Sequence, residues 1–172
     1  MFMSSAMMIV LAASVFPVTI GLDIKPDLGK DLPEEPQASI APDGSGLPPA
    51  VGSAEQGKVV YSVHCLSCHG ESGEMPGNVL VGGLGSLNTD IPTKTVGSYW
   101  PYATTLFDYI NRAMPYGNEK VLSASEVYSV TAYLLFLNDI IDFDTVMNAK
   151  TLPHVEMPNR KGFRTDKEFQ FK

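Results

Sequence analysis

The sequence predicts an all-α domain with three main helices over residues 53–141. Ser53 with Gln56, and Ser123 with Glu126, each fit a capping box, in which the N-cap and N3 side chains bond to each other's backbone N–H groups. The stretches that follow carry apolar residues at helical spacing. No segment alternates convincingly between apolar and polar residues, as a half-buried strand would.

Length and charge limit the classes of function. The chain has 172 residues, which suits one domain with extensions. Its net charge is −7 and it has no basic stripe, so nucleic-acid binding is not expected. The hydrophobic fraction of 44% is ordinary for a globular protein.

The segment 1–21 is predicted to be a signal peptide. The chain is apolar from Ala6 to Leu22, but this run is too short and too interrupted for a convincing membrane span. No Lys or Arg precedes Lys25, which is atypical of a signal peptide, so an uncleaved anchor is the alternative. Export would place the protein in the periplasm, with membrane contact only if the segment is retained.

Residues 22–52 are predicted to be a proline-rich linker. Residues 23–52 hold six prolines, four glycines and no aromatic side chain. Such a segment cannot bury enough apolar surface to fold alone. Its composition leaves two roles open, a simple tether and an arm that wraps around a partner.

The first predicted helix begins at Ser53 and runs through Gly57 and Tyr61 toward Cys65. A glycine inside a helix costs about 1 kcal/mol relative to alanine. Gly57 is therefore sensible if another helix crosses closely at that point. The alternative is a tolerated glycine on a solvent-exposed face.

The segment Cys65-Leu66-Ser67-Cys68-His69 is a C-x-x-C-H motif, the attachment signature of a c-type haem. Each thiol can form a thioether with a haem vinyl group, and His69 can bind the iron as an axial ligand. A redox dithiol, a disulfide and half of a zinc site are the competing interpretations. The chain has only these two cysteines and shows no βαβ pattern, so one covalent haem c is favoured.

Residues 70–101 are predicted to be a long glycine-rich and proline-rich loop. An ordered loop of this length needs a surface to pack against, and the haem edge is the candidate. The apolar side chains expected to make that contact are Val79, Leu80, Val81, Leu84 and Leu87.

Two further helices follow the loop. The second runs from Thr104 or Thr105 to about Ala113, and the third runs from Ser123 to about Asn138. The apolar residues at helical spacing are Leu106, Tyr109, Ile110 and Ala113 in the second helix and Val127, Val130, Thr131, Leu134 and Leu135 in the third. The haem would supply much of the core that so small a domain otherwise lacks.

Met114 is the candidate for the second axial ligand. It follows the second helix, precedes Pro115 and lies some 45 residues after His69, which gives the chain room to pass around the haem. Met75 is too near His69 to reach the opposite face easily. Thioether coordination would close the iron and raise its potential, whereas an open position would bind small molecules. The alternative for Met114 is an ordinary core side chain.

Polar groups that could bond the haem propionates form a weaker set. They are Tyr99, Trp100, Tyr102, Tyr116 and Arg112. The aromatic members are more often plain packing groups with a polar tip. His64 is interpreted as a surface group and not as a ligand.

Residues 142–172 are predicted to be an irregular C-terminal extension, interrupted by Pro153 and Pro158. Three phenylalanines, at 163, 169 and 171, are more than a disordered tail needs. A docking segment and a frayed terminus are both compatible with this composition. We expect the two extensions, rather than the haem domain, to hold a partner protein.

The pattern Gly57-x-x-x-Tyr61-x-x-x-Cys65-x-x-Cys68-His69, with the later Met114-Pro115 and the closing helix, resembles the class I cytochromes c. A narrower likeness is to the cytochrome subunits of sulfur-compound dehydrogenases. It is carried by Thr95–Ile110, Arg112–Pro115, Glu126–Tyr128, Thr131–Leu135 and Met157–Arg160.

This resemblance implies a periplasmic electron-transfer subunit without catalytic residues of its own. Its implied partners are a molybdopterin-containing sulfane dehydrogenase of the Sox thiosulfate-oxidising system, or a sulfite dehydrogenase, and a downstream redox acceptor. Some Sox cytochrome subunits carry two haems, whereas this chain has one attachment site. The alternatives are a gas-binding or peroxidatic haem protein with an open or labile sixth site, an independent soluble electron carrier, and an assembly subunit without a redox role.

Overall fold

The computed structural model describes residues 39–163, which belong to one compact unit. The segment predicted as a signal peptide, the linker residues 22–38 and the end of the tail lie outside this range. The elements are β1 (Val51–Ser53), α1 (Ala54–His64), α2 (Leu66–His69), α3 (Ala103–Ala113), α4 (Ala124–Leu137) and β2 (Val146–Asn148), with 3₁₀ turns at Ser86–Asn88 and Leu152–His154. Among these residues no helix has the length and apolar character to cross a membrane.

The predicted mainly helical architecture is confirmed, and both capping boxes form. The Gln56 N–H donates to Ser53 Oγ at 3.3 Å, and the Ser53 N–H donates to Gln56 Oε1 at 3.2 Å. At α4 the Ser123 N–H and Oγ both donate to the Glu126 carboxylate, at 2.8 and 2.7 Å. These hydrogen bonds hold the pKa of Glu126 below its usual range.

Helices α1 and α4 cross in close contact at Gly57. A Cβ atom at this position would collide with the backbone of Ser129, so only glycine fits here without a shift. One turn further along α1, the ring of Tyr61 meets the ring of Tyr133 edge to face, with centroids 5.4 Å apart. The prediction that another helix crosses at Gly57 is therefore confirmed.

Helix α4 is buried on all sides over residues 127–135. A helix that is apolar all round must be covered all round. Helices α1 and α3 cover part of it, and Phe107 of α3 packs on Tyr128 with ring centroids 4.5 Å apart. The rest of the α4 surface is covered by segments that precede and follow the three main helices in the sequence.

The N-terminal cover is residues 39–52, which the sequence assigned to the linker. Strand β1 pairs with β2 in an antiparallel sheet with Gly52 opposite Met147, and Gly52 packs directly against Ser129. Tyr128 donates a hydrogen bond to the Pro48 carbonyl at 3.1 Å, and Ile40 is buried. The structure thus extends the packed domain back to residue 39, and it corrects the expectation that the domain contains no strands.

The C-terminal cover is residues 142–163, predicted as an irregular extension. Its side chains Met147, Leu152 and Met157 are no more than 3% exposed and belong to the main core. This segment is therefore neither frayed nor separable from the domain as far as residue 163. Deletion of residues 142–172 would expose the core and destabilise the domain. A loss of partner binding after this deletion would therefore not identify the segment as the binding site.

The Gly57→Ala substitution should destabilise the protein. The added methyl group must push α1 away from α4, and overpacking of this kind costs about 1–3 kcal/mol. Denaturant unfolding of the haem-loaded protein measures the change. The control is Lys58→Ala on the exposed side of the same helix, which should change the free energy of unfolding by less than about 0.5 kcal/mol. Equal stability of the two variants would refute the close crossing.

The Thr131→Val substitution should stabilise the protein. The Thr131 hydroxyl is buried in α4 without a hydrogen-bond partner, and an unsatisfied buried hydroxyl costs about 1–3 kcal/mol. Thr95→Val is the matched control, since Thr95 is equally buried but its hydroxyl donates to the Gly82 carbonyl at 2.6 Å. Thermal unfolding should show a higher Tm for Thr131→Val and a lower Tm for Thr95→Val. A lower Tm for both contradicts this account.

Candidate haem site

The C-x-x-C-H motif forms the short helix α2, which follows α1 after one residue. The carbonyl of Cys65 accepts hydrogen bonds from the N–H groups of Cys68 at 3.1 Å and His69 at 3.0 Å. Residues at i, i+3 and i+4 of a helical turn share one side. The fold thus brings both thiols and the imidazole to the same side, whereas Leu66 and Ser67 lie between them in sequence and are exposed.

The two cysteines are free thiols, with Cys65 half-buried and Cys68 exposed. Burial, with a smaller effect from the charge of Cys68, raises the pKa of the Cys65 thiol to about 11. A redox-active dithiol requires the opposite shift. Within residues 39–163 no group of three His, Cys, Asp or Glu side chains is placed to hold a metal ion.

His69 is held in one tautomer. Its Nδ1 lies 2.8 Å from the backbone carbonyl oxygen of Asn78. Because a carbonyl oxygen can only accept, Nδ1 carries a proton in this contact, and in the neutral ring the lone pair is on Nε2. An imidazole whose other nitrogen donates to a carbonyl is the usual arrangement of a histidine metal ligand.

The loop after His69 is shaped by its own hydrogen bonds and by α1. The Met75 N–H donates to the His69 carbonyl at 3.0 Å, and the Asn78 N–H donates to the Met75 carbonyl at 2.9 Å. From α1, the buried hydroxyl of Tyr61 donates to the Gly70 carbonyl at 2.8 Å. Burial is the main cause that raises the pKa of Tyr61 to about 12, so this hydroxyl remains a donor at neutral pH.

Asn138 is a positioning residue that the sequence did not identify. It caps the C-terminus of α4, where its Nδ2 donates to the carbonyls of Leu80 at 3.1 Å and Leu134 at 2.9 Å. Its Oδ1 accepts from the Gly97 N–H at 3.2 Å. A polar residue at the end of an apolar helix is a weak sequence signal, and its loop partners are far away in the chain.

The predicted contacts of the glycine-rich loop divide into two groups. Leu80 is half-buried and packs against the core, and Val79, Val81 and Leu87 are also half-buried. Leu84 is 73% exposed, so the structure does not bring it into the core.

Met114 is the first residue after α3 and has an extended backbone. It is half-buried at the margin of the core, as are Cys65 and Trp100. The other methionines within residues 39–163 differ: Met75 is exposed, and Met147 and Met157 are buried in the core. Of these four, Met114 is the one that is half-buried against the core.

The weaker candidates for propionate contacts are engaged elsewhere or exposed. Arg112 Nε donates to Asp108 Oδ1 at 2.7 Å along α3. Trp100 packs edge to face on Tyr109, and Tyr116 is 90% exposed. Tyr99 and Tyr102 contact side chains of the C-terminal segment.

The residues present fit a haem c. Two thiols lie on one side of a helical turn, an imidazole beside them has a free Nε2, and a thioether sulfur lies at the margin of the same core. Thiols suit attachment to vinyl groups, and the pair of imidazole and thioether suits haem iron.

Comparisons with known proteins agree with this chemistry. The family profile described as cytochrome c oxidase, cbb3-type, subunit III, matches residues 52–134. The crystal structure of the sulfane dehydrogenase SoxCD from Paracoccus pantotrophus matches with a TM-score of 0.75 and 38% sequence identity, over 83% of this chain and 74% of that chain. No curated protein matches the chain.

The Met114→Ala substitution should open the sixth iron position. The oxidised variant should lose the weak red absorption band of methionine–iron coordination, and the reduced variant should bind carbon monoxide. Met75→Ala is the matched control, because Met75 is 39% exposed and should leave the spectrum unchanged. A Met114→Ala spectrum identical to that of the unaltered protein would exclude Met114 as the ligand.

Proposed function

This chain belongs to the cytochrome c family, and we propose that it is the periplasmic electron-transfer subunit of a molybdenum-containing sulfur-compound dehydrogenase. In this role it takes electrons from the catalytic subunit that oxidises sulfane sulfur or sulfite, and it passes them to a downstream redox protein. The catalytic sulfur chemistry belongs to the partner, and this chain contributes no catalytic residue.

The helical turn that places Cys65, Cys68 and His69 on one side is the observation that carries the proposal. We assign one haem to this site, which Cys65 and Cys68 would hold through their sulfurs and which His69 Nε2 and Met114 Sδ would hold through its iron. When bound, haem c supplies reversible one-electron transfer at its iron. The Asn78 carbonyl keeps the imidazole in the ligating tautomer, and the Met114 sulfur would exclude small ligands from the iron.

The breadth of the likeness to the sulfane dehydrogenase SoxCD supports the choice of partner. The cytochrome profile spans only residues 52–134, whereas the match to SoxCD extends over 83% of the chain at 38% identity. The shared structure therefore includes segments beyond the haem-binding part. A general electron carrier would not need to share those segments with a dehydrogenase complex.

Isolation of the full chain with its native partners tests the proposal. Affinity-tagged protein from the periplasm of the source cells should co-purify with a protein that contains molybdenum, in a fixed ratio of molybdenum to haem. Addition of a sulfane-sulfur compound or sulfite to this complex should reduce the haem, which is seen as growth of the reduced α-band.

The control is the purified cytochrome without its partner, which should stay oxidised when the same compounds are added. A tagged protein that carries no molybdenum partner and stays oxidised would favour the independent soluble carrier. Recovery of the tagged protein from the cytoplasm would contradict the proposed location.

A further inference from the structure

A cluster of basic and aromatic side chains lies at the N-terminal end of α3. It consists of Lys94, Tyr99, Tyr102, Arg160, Lys161 and Phe163, and we call it the basic–aromatic patch. Lys94 Nζ lies 5.1 Å from the ring centroid of Tyr99, and the Arg160 guanidinium lies 5.3 Å from that of Tyr102. Both distances are within the range of cation–π attraction.

The patch joins two segments that are far apart in sequence. The side-chain amide of Asn159 donates to the Tyr99 carbonyl at 2.7 Å, and the rings of Phe163 and Tyr99 meet edge to face with centroids 5.3 Å apart. A tight turn, in which the Gly162 N–H bonds to the Asn159 carbonyl at 3.0 Å, presents Arg160 and Lys161. The cations are thus carried on an ordered surface, which lowers the entropy cost of using them in an interface.

The charge of the patch is opposite to that of the chain as a whole. Residues 39–163 contain seven Lys and Arg against twelve Asp and Glu, yet three of the seven cations are Lys94, Arg160 and Lys161. All three are exposed, and in this part of the chain none of them forms an ion pair. Phe163 is 54% exposed beside them. Exposed aromatic rings with arginine are typical of the energetically important parts of protein interfaces.

The patch is separate from the end of α3 that carries Met114. Tyr102 caps the N-terminus of this helix and Met114 follows its C-terminus. A rise of 1.5 Å per residue places these two ends about 17 Å apart. The two ends therefore belong to different parts of the surface, with the patch at one end of α3 and Met114 at the other.

We propose that the basic–aromatic patch is a docking surface for an acidic face of the dehydrogenase subunit, and that it holds this subunit away from the Met114 end of α3. This inference rests on the proposed function for the identity of the partner. The patch would recognise this partner because carboxylates of the acidic face pair with Lys94, Arg160 and Lys161 around the exposed edge of Phe163. It also replaces the expectation that separable extensions hold the partner, because the patch combines the loop and the C-terminal segment.

The test compares two charge-reversal variants of the haem-loaded full chain. Lys94→Glu/Arg160→Glu/Lys161→Glu should weaken binding to the purified dehydrogenase subunit roughly tenfold or more, mainly through slower association, and should reduce the salt dependence of binding. Lys58→Glu/Lys150→Glu, which reverses exposed lysines outside the patch, should change the affinity by less than about twofold. Both variants should keep the absorption spectrum and the reduction potential of the unaltered protein.

The outcomes separate the patch from the proposed function. If the unaltered protein binds the dehydrogenase and the triple variant binds it equally well, the patch inference is overturned and the function stands. If the unaltered protein neither binds nor is reduced by the dehydrogenase, both fail. Vesicles of phosphatidylcholine with phosphatidylglycerol provide the second arm: loss of vesicle binding in the triple variant, with unchanged dehydrogenase binding, would assign the patch to an anionic lipid surface instead.

Discussion

The close approach of α1 and α4 at Gly57 is the constraint on which the rest of the structure depends. The backbone of Ser129 occupies the space that a larger side chain would need, so the two helices have a fixed separation. That separation sets the position of Tyr61, whose hydroxyl donates to the Gly70 carbonyl, next in sequence to His69. At the far end of α4, Asn138 holds the other part of the same loop. One helix pair thus positions the loop at both ends.

The burial of α4 explains why the domain extends beyond its three main helices. Helix α4 is buried over residues 127–135, but α1 and α3 cover only part of its surface. The short sheet of β1 and β2 and the C-terminal segment cover the rest, with Met147 and Leu152 among the buried side chains. These segments therefore contribute to the stability of the cytochrome domain, and they cannot be treated as detachable docking arms.

Local signals made part of this structure predictable. Capping boxes and helical spacing involve residues three or four apart, and the C-x-x-C-H motif lies within a single turn, so one sequence suffices to find them. The strands could not be found in this way, because three residues are too few to show alternation. The burial of Ile40 could not be predicted either, because it is an apolar residue within a proline-rich stretch. It becomes buried only when distant segments pack against it. Asn138 depends on the Gly97 N–H, 41 residues away, and on the Leu80 carbonyl, 58 residues away, which no local pattern reveals.

The hydrogen bond between His69 and Asn78 has a consequence for how this site tolerates sequence change. The acceptor is a main-chain oxygen, and every type of amino acid supplies one. The Asn78 side chain can therefore be exchanged without removing the group that sets the imidazole tautomer, provided that the loop keeps its path. The tautomer of the His69 imidazole is in this way set by backbone geometry rather than by the identity of residue 78. Changes in the loop sequence and a constant imidazole tautomer are then compatible.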